Sequence, residues 1–204
     1  MKFIKKIIIY SRSLEKKSFD QENLFLNNLD TPKCDFDRSF LQYKCHRYIE
    51  GIRLHMLFNL ISFVPFLLLI FIAPFFAIFC KLFKSSNEIF DTVSLSQINR
   101  IMVPDKYNNF KKIPVTGYWL QFKDLYYFYK QLFTFIPNPY FGLRIFYQLT
   151  KTRSVIQKFK PKTILVSNEY SFWSSYISFV CENEGIFLVN IMHGEKIFNI
   201  RDSF

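Results

Sequence analysis

From Lys160 to Lys196 the chain reads KPKTILVSNEYSFWSSYISFVCENEGIFLVNIMHGEK, two short apolar runs with an amphipathic stretch between them. Thr163 to Ser167 is a short β-branched run, which predicts a buried strand. Asn168 and Glu169 interrupt it. Ser171 is then placed to cap a helix whose apolar face carries Phe172, Trp173, Tyr176, Ile177, Phe179 and Val180. Gly185 suits the residue just past such a helix, where a left-handed backbone is common. Ile186 to Met192 is the second run, and His193-Gly194 stops it. A strand, a helix and a strand with so short a connection predict a right-handed crossover and a parallel pair.

In a parallel sheet the loops after the strands share one edge, where α/β proteins hold their ligands. Asn168-Glu169 and His193-Gly194-Glu195-Lys196 are expected at that edge, facing one cleft. The chemistry available there is specific. Glu169 can act as a base or accept a hydroxyl, His193 can carry a proton or donate to a phosphate, and Gly194 lets backbone approach closely. Ser171, Ser174 and Ser175 stand at a helix start, whose free N–H groups favour anions. The same residues also admit a structural reading, with Glu169 capping the helix and His193-Gly194 making a turn.

Upstream, helices are expected around Leu95 to Met102, Tyr118 to Phe135 and Tyr140 to Phe159, punctuated by Pro104, Pro114, Pro137 and Pro139. The aromatic stripe Tyr126, Tyr127, Phe128, Tyr129, Leu132 and Phe133 reads as packing rather than a ligand box. Before it, Met56 to Cys80 is a stretch of 25 residues without one charge. As a single helix it rises about 1.5 Å per residue, enough to cross the roughly 30 Å hydrocarbon core of a bilayer. Pro65 and Pro74 each remove a backbone donor, so a kinked span and a re-entrant hairpin are both open. The basic flanks, Lys44, Arg47 and Arg53 before and Lys81 and Lys84 after, nearly balance and do not orient the segment. Residues 11 to 55 are polar, with a short amphipathic helix expected around Phe40 to Leu54. The chain thus divides into a polar N-terminal region (1–55), a membrane segment (56–80) and a helical and α/β domain (81–204).

Lys and Arg outnumber Asp and Glu by 27 to 16, a net charge of +11 that favours an anionic partner. The basic residues are scattered and no nucleic-acid-binding motif accompanies them, so the expected partner is lipid rather than nucleic acid. Cys34, Cys45, Cys80 and Cys181 occur singly, which excludes a disulfide framework and suits a reducing compartment. Cys45-His46 lacks a second pair at ligand spacing, and no metal is expected. The start, MKFIKKIIIY, has too short an apolar run for a signal peptide.

The segment from Lys160 to Phe204 resembles the acceptor-side half of GT-B-type glycosyltransferase-like proteins from bacterial surface-polysaccharide gene clusters. The resemblance rests on Ser167-Asn168-Glu169-Tyr170-Ser171 after one strand and Met192-His193-Gly194-Glu195-Lys196 after the next, with Ile200-Arg201-Asp202-Ser203 behind them. Together with the uncharged stretch and the strand-helix-strand pattern, the expectation is an α/β fold, helix-rich, with a membrane-embedded helical segment and a C-terminal parallel β-α-β unit, which the resemblance implies belongs to an incomplete Rossmann-like half. The resemblance further implies transfer of a sugar from a nucleotide-sugar donor, a substrate rather than a resident cofactor, to a lipid-linked or glycan acceptor at the cytoplasmic membrane, with the C-terminal domain facing the cytoplasm. Glu169 would be the base or acceptor-binding residue and His193 the charge stabiliser. Asn168, Ser171, Gly194, Glu195 and Lys196 would contact substrate. GT-B proteins hold the donor in a second α/β domain, and neither G-x-G-x-x-G nor a P-loop occurs here. The expectation is a truncated product, a fragment or half of a split system, inactive alone and completed by a donor-binding domain or subunit. A non-catalytic membrane scaffold for polysaccharide assembly is the alternative.

Overall fold

The computed structural model describes residues 6, 10, 19–82, 88–95, 98, 103–107, 109–113, 117–167 and 172–191. In chain order its elements are α1 (Phe19–Asn27), α2 (Asp35–Glu50), α3 (Ile52–Leu82), β1 (Thr92–Ser94), β2 (Lys111–Lys112), α4 (Phe122–Lys130), α5 (Leu132–Phe135), α6 (Pro139–Phe159), β3 (Thr163–Val166), α7 (Phe172–Asn183) and β4 (Phe187–Asn190). The architecture is helix-rich α/β.

The two apolar runs form β3 and β4, and they pair in parallel with Thr163 opposite Phe187 and Val166 opposite Asn190. All four residues of β3 are buried, which explains why it is apolar without alternation: it is covered on both faces. Ile164 and Val166 join the main core, while Leu165 packs on the other side with Val103 and Phe110. Gly185 has φ of 66°; there it ends α7, and Ile186 N–H closes the turn onto the Cys181 carbonyl at 2.9 Å.

Two strands in this sheet were not anticipated. Thr92–Ser94 pairs in parallel with β3 and also with Lys111–Lys112, so the sheet order is β2-β1-β3-β4. Of the helix expected around Leu95 to Met102, only Leu95 and Ile98 are described, and neither is helical. The helix expected from Tyr118 to Phe135 is broken at Gln131 into α4 and α5, and the one expected from Phe40 to Leu54 starts earlier and stops at Gly51, whose φ is 106°.

The core lies between the sheet and the helices. Phe128, Phe135, Phe141 and Ile145 are fully buried there together with Tyr43 of α2. Helix α2 is fastened to α7 by two hydrogen bonds: Ser39 Oγ donates to the Phe172 carbonyl at 2.6 Å and Ser175 Oγ donates to Gln42 at 2.9 Å. The N-terminal polar region thus supplies one wall of the core.

The apolar segment forms one helix, α3, continuous through Pro65 and Pro74. Its buried positions are Leu54, His55, Ser62, Phe66, Ala73, Ala77 and Cys80, which from His55 onward recur at steps of three, four and seven and make one stripe against the body of the protein. Contact is close at its centre, where a Cβ placed on Gly142 of α6 would stand 2.5 Å from the Phe66 ring.

Candidate functional site

The chain runs from β1 to β2 on one side of β1, while β3 pairs on the other side. In open α/β sheets a reversal of strand order is the place where ligands bind, beyond the carboxyl ends of the two central strands. These ends are level with one another: Leu95 N–H donates to the Leu165 carbonyl at 3.0 Å, Ile191 N–H to Val166 at 2.8 Å and Ile113 N–H to Ser94 at 3.2 Å. Ser167 and Ile191, the last described residues before the two polar clusters, therefore stand on neighbouring strands at one edge of the sheet. The cluster residues themselves, Asn168, Glu169, Ser171, His193, Gly194, Glu195 and Lys196, lie outside the described residues.

Of the three serines at the start of α7, Ser175 is described in full. It is buried and spends its hydroxyl on Gln42, so it serves the α2–α7 contact rather than an anion at the helix start.

The strongest electrostatic feature was not visible in the sequence. Arg153 of α6 is buried and forks onto Asp124 of α4, with Nη2 to Oδ1 at 2.6 Å and Nε to Oδ2 at 2.9 Å. The same Nη2 reaches Glu184, just past α7, at 2.7 Å, and Lys123 reaches Glu184 from outside at 2.6 Å. Burial pushes the Asp124 carboxyl up, against the pull of Arg153. For Glu184 burial acts in the same direction, but the hydrogen bonds from Arg153 and Lys123 outweigh it and hold the carboxyl below the usual range. Asp124 also accepts from Gln121 N–H at 2.9 Å, capping α4. Every partner is a neighbour within the fold, so the network joins three helices rather than waiting for a ligand.

A cleft of about 490 Å³ lies where Lys33, Asp35 and Arg38 of the α2 start meet Ser178, Glu182 and Phe187. It is at the amino end of β4, opposite the edge where the polar clusters follow. Cys34 is exposed, and Cys45, Cys80 and Cys181 are buried free thiols. Burial pushes Cys45 and Cys181 up to about 12, which leaves them protonated and weak as nucleophiles near neutral pH. Among the described residues no three His, Cys, Asp or Glu side chains converge as metal ligands.

Helix α3 presents an extended apolar surface. Met56, Leu60, Ile61, Val64, Leu68, Phe71, Ile72, Phe75, Phe79 and Leu82 are all exposed. The polar residues of the same stretch point the other way: Ser62 is buried, and Asn59 Oδ1 accepts the Tyr140 N–H at 3.1 Å and the Tyr43 hydroxyl at 3.4 Å. This inverts the amphipathic pattern of a water-exposed helix. Helix α3 is long and apolar enough to cross a membrane.

No protein-family model, curated protein or solved structure matches this chain.

Proposed function

We propose that this protein is a membrane-associated, glycosyltransferase-like protein of bacterial surface-polysaccharide assembly, with its α/β body held at the cytoplasmic membrane face by α3. The observation that carries the membrane part is the inverted face of α3, whose polar side chains turn into the protein while its exposed side chains are apolar. Hydrocarbon is the surrounding in which that arrangement lowers free energy, at roughly 25 cal/mol per Å² of apolar surface taken from water. A net charge of +11 adds attraction to anionic headgroups.

The transferase part is supported by the parallel sheet and by the polar residues that follow two adjacent strands. In this reading Glu169 takes the proton from an acceptor hydroxyl as its oxygen bonds to the anomeric carbon. The bond from that carbon to the donor phosphate breaks, and the nucleotide diphosphate leaves with the electron pair, its charge met by His193. Asn168, Ser171, Gly194, Glu195 and Lys196 orient the two substrates, and a second α/β unit supplies the nucleotide site.

The test is transfer of labelled sugar from a panel of nucleotide sugars to lipid-linked acceptors in vesicles, using the full chain together with whatever partner co-purifies. Wild type should label the lipid fraction, and Glu169→Gln should lower the rate by about 10² or more, the usual contribution of a positioned base. Undiminished transfer by Glu169→Gln would remove that residue from the chemistry. Membrane-bound protein that transfers nothing with any donor would leave a scaffold, and the transferase reading would fall.

A further inference from the structure

We infer that α3 lies in the plane of the membrane, sunk by its exposed face into one leaflet, rather than crossing the bilayer; the inference rests on the membrane attachment proposed above. The body of the protein accompanies α3 along its whole length. Near the start of the helix, His55 stands edge-on to the Tyr43 and Tyr140 rings and Asn59 accepts the Tyr140 N–H. At its middle, Phe66 packs on Phe128, Phe135 and Gly142, and the Tyr129 hydroxyl reaches the Ile70 carbonyl at 2.7 Å. At its end, Cys80 is buried. A crossing α3 would therefore drag α4 and α6 into the hydrocarbon beside it.

Those helices are not built for that. Lys130 follows Tyr129 directly and Arg144 is two residues past Gly142, and both are exposed at the level of the middle of α3. A crossing would set these two charges near the bilayer centre, the costliest depth for Lys and Arg. Lying flat removes the conflict, because the charges then sit beside the helix at headgroup depth. Arg53 and Lys81 are exposed at opposite ends of the apolar face; on a flat helix both meet the anionic headgroups of one leaflet. Helices α4 and α5, which run beside α3, expose Phe122, Tyr126 and Phe133, aromatic residues of the kind that settle at a membrane interface. An interfacial helix with an apolar underside and basic flanks is a known mode of monotopic attachment.

Leu60, Phe71 and Leu82 make the test direct. They are exposed at 74%, 71% and 76%, and their spacing of eleven residues is close to three helical turns, so they share one side of α3 at intervals of about 16 Å. Each is replaced by Cys in a Cys34→Ser background, labelled with an environment-sensitive fluorophore, and bound to phosphatidylcholine–phosphatidylglycerol vesicles carrying quenchers at defined acyl depths. A flat α3 gives three equal, shallow depths within one leaflet. A deep Phe71 label with shallow labels at Leu60 and Leu82 means a crossing helix; it overturns the inference and leaves membrane attachment standing. Labels that no lipid quencher reaches overturn both.

Discussion

Tyr129 of α4 donates its hydroxyl to the carbonyl oxygen of Ile70 in α3 at 2.7 Å. Residue 74 would supply the intrahelical donor to that carbonyl, but it is a proline and has no N–H. The contact thus satisfies a polar group that an apolar helix cannot leave bare, and it pins α4 to the middle of α3.

Tyr129→Phe is expected to destabilise the protein by about 1 kcal/mol, the net worth of a hydrogen bond to a part-buried acceptor. In a Pro74→Ala background the backbone N–H returns, and the same substitution should cost much less. A double-mutant cycle by chemical denaturation in detergent or vesicles measures the coupling. Additive effects of the two changes would show that the hydroxyl does not replace the missing donor.

At Gly142, α6 packs tightly against the Phe66 ring of α3. Gly142→Ala sets a methyl 2.5 Å from the Phe66 ring and 3.1 Å from Phe135, in a packed core where overfilling costs about 1–3 kcal/mol. Thermal unfolding should show the loss, and Phe66→Leu should recover part of it. If Gly142→Ala unfolds at the wild-type temperature, the close approach of the two helices is refuted.

The buried fork of Arg153 on Asp124 should be costly to break from one side. Arg153→Met leaves the Asp124 carboxylate without its partner, an effect of about 3–5 kcal/mol for buried pairs. Replacing Asp124 by Asn as well should restore part of the loss in urea titrations, because the stranded charge is gone. No recovery would mean the charge was not the source of the cost.

Glu184 carries a pH signature. Its carboxyl is held below the ordinary range in the folded chain, burial being outweighed by Arg153 and Lys123, so its stabilisation is full above the unfolded-state pKa, near 4.3 for Glu. It is lost as pH falls through the lower folded value. Asp124, pushed up by burial, acts with the opposite sign. The difference in melting temperature between wild type and Glu184→Gln should therefore shrink toward acid pH, and a difference constant from pH 7 to 3 would contradict the assignment.

Thiol labelling separates the cysteines. Cys34 is exposed while Cys45 and Cys181 are buried with their acidities pushed up to about 12, so maleimide at pH 7 should modify Cys34 alone in the folded chain. Mass spectrometry of the labelled peptides checks it, and equal labelling of Cys181 would place it outside the core.

The sequence alone determined the elements whose signal is local. The β3–α7–β4 unit was legible because β-branched runs, a helical apolar face and Gly185 follow one another within one short segment, and each acts through its own neighbours. The apolar segment was legible from its uncharged length, but with Pro65 and Pro74 in it a kinked helix and a re-entrant hairpin were both open, and only the structure shows one continuous helix. Only the tertiary structure decided the rest. Strands β1 and β2 are too short to specify themselves; β1 exists because β3 offers an edge to pair with, and β2 because β1 offers its other edge. Asp124, Arg153 and Glu184 lie far apart in the chain, and nothing in their surroundings announces that they meet. In α3 the near-uniform apolarity erases any periodicity, so which face is covered follows from the aromatic wall of α4, α5 and α6 that Phe66 enters. A helix apolar on all sides announces that it avoids water; its packed neighbours alone determine which side is left for lipid.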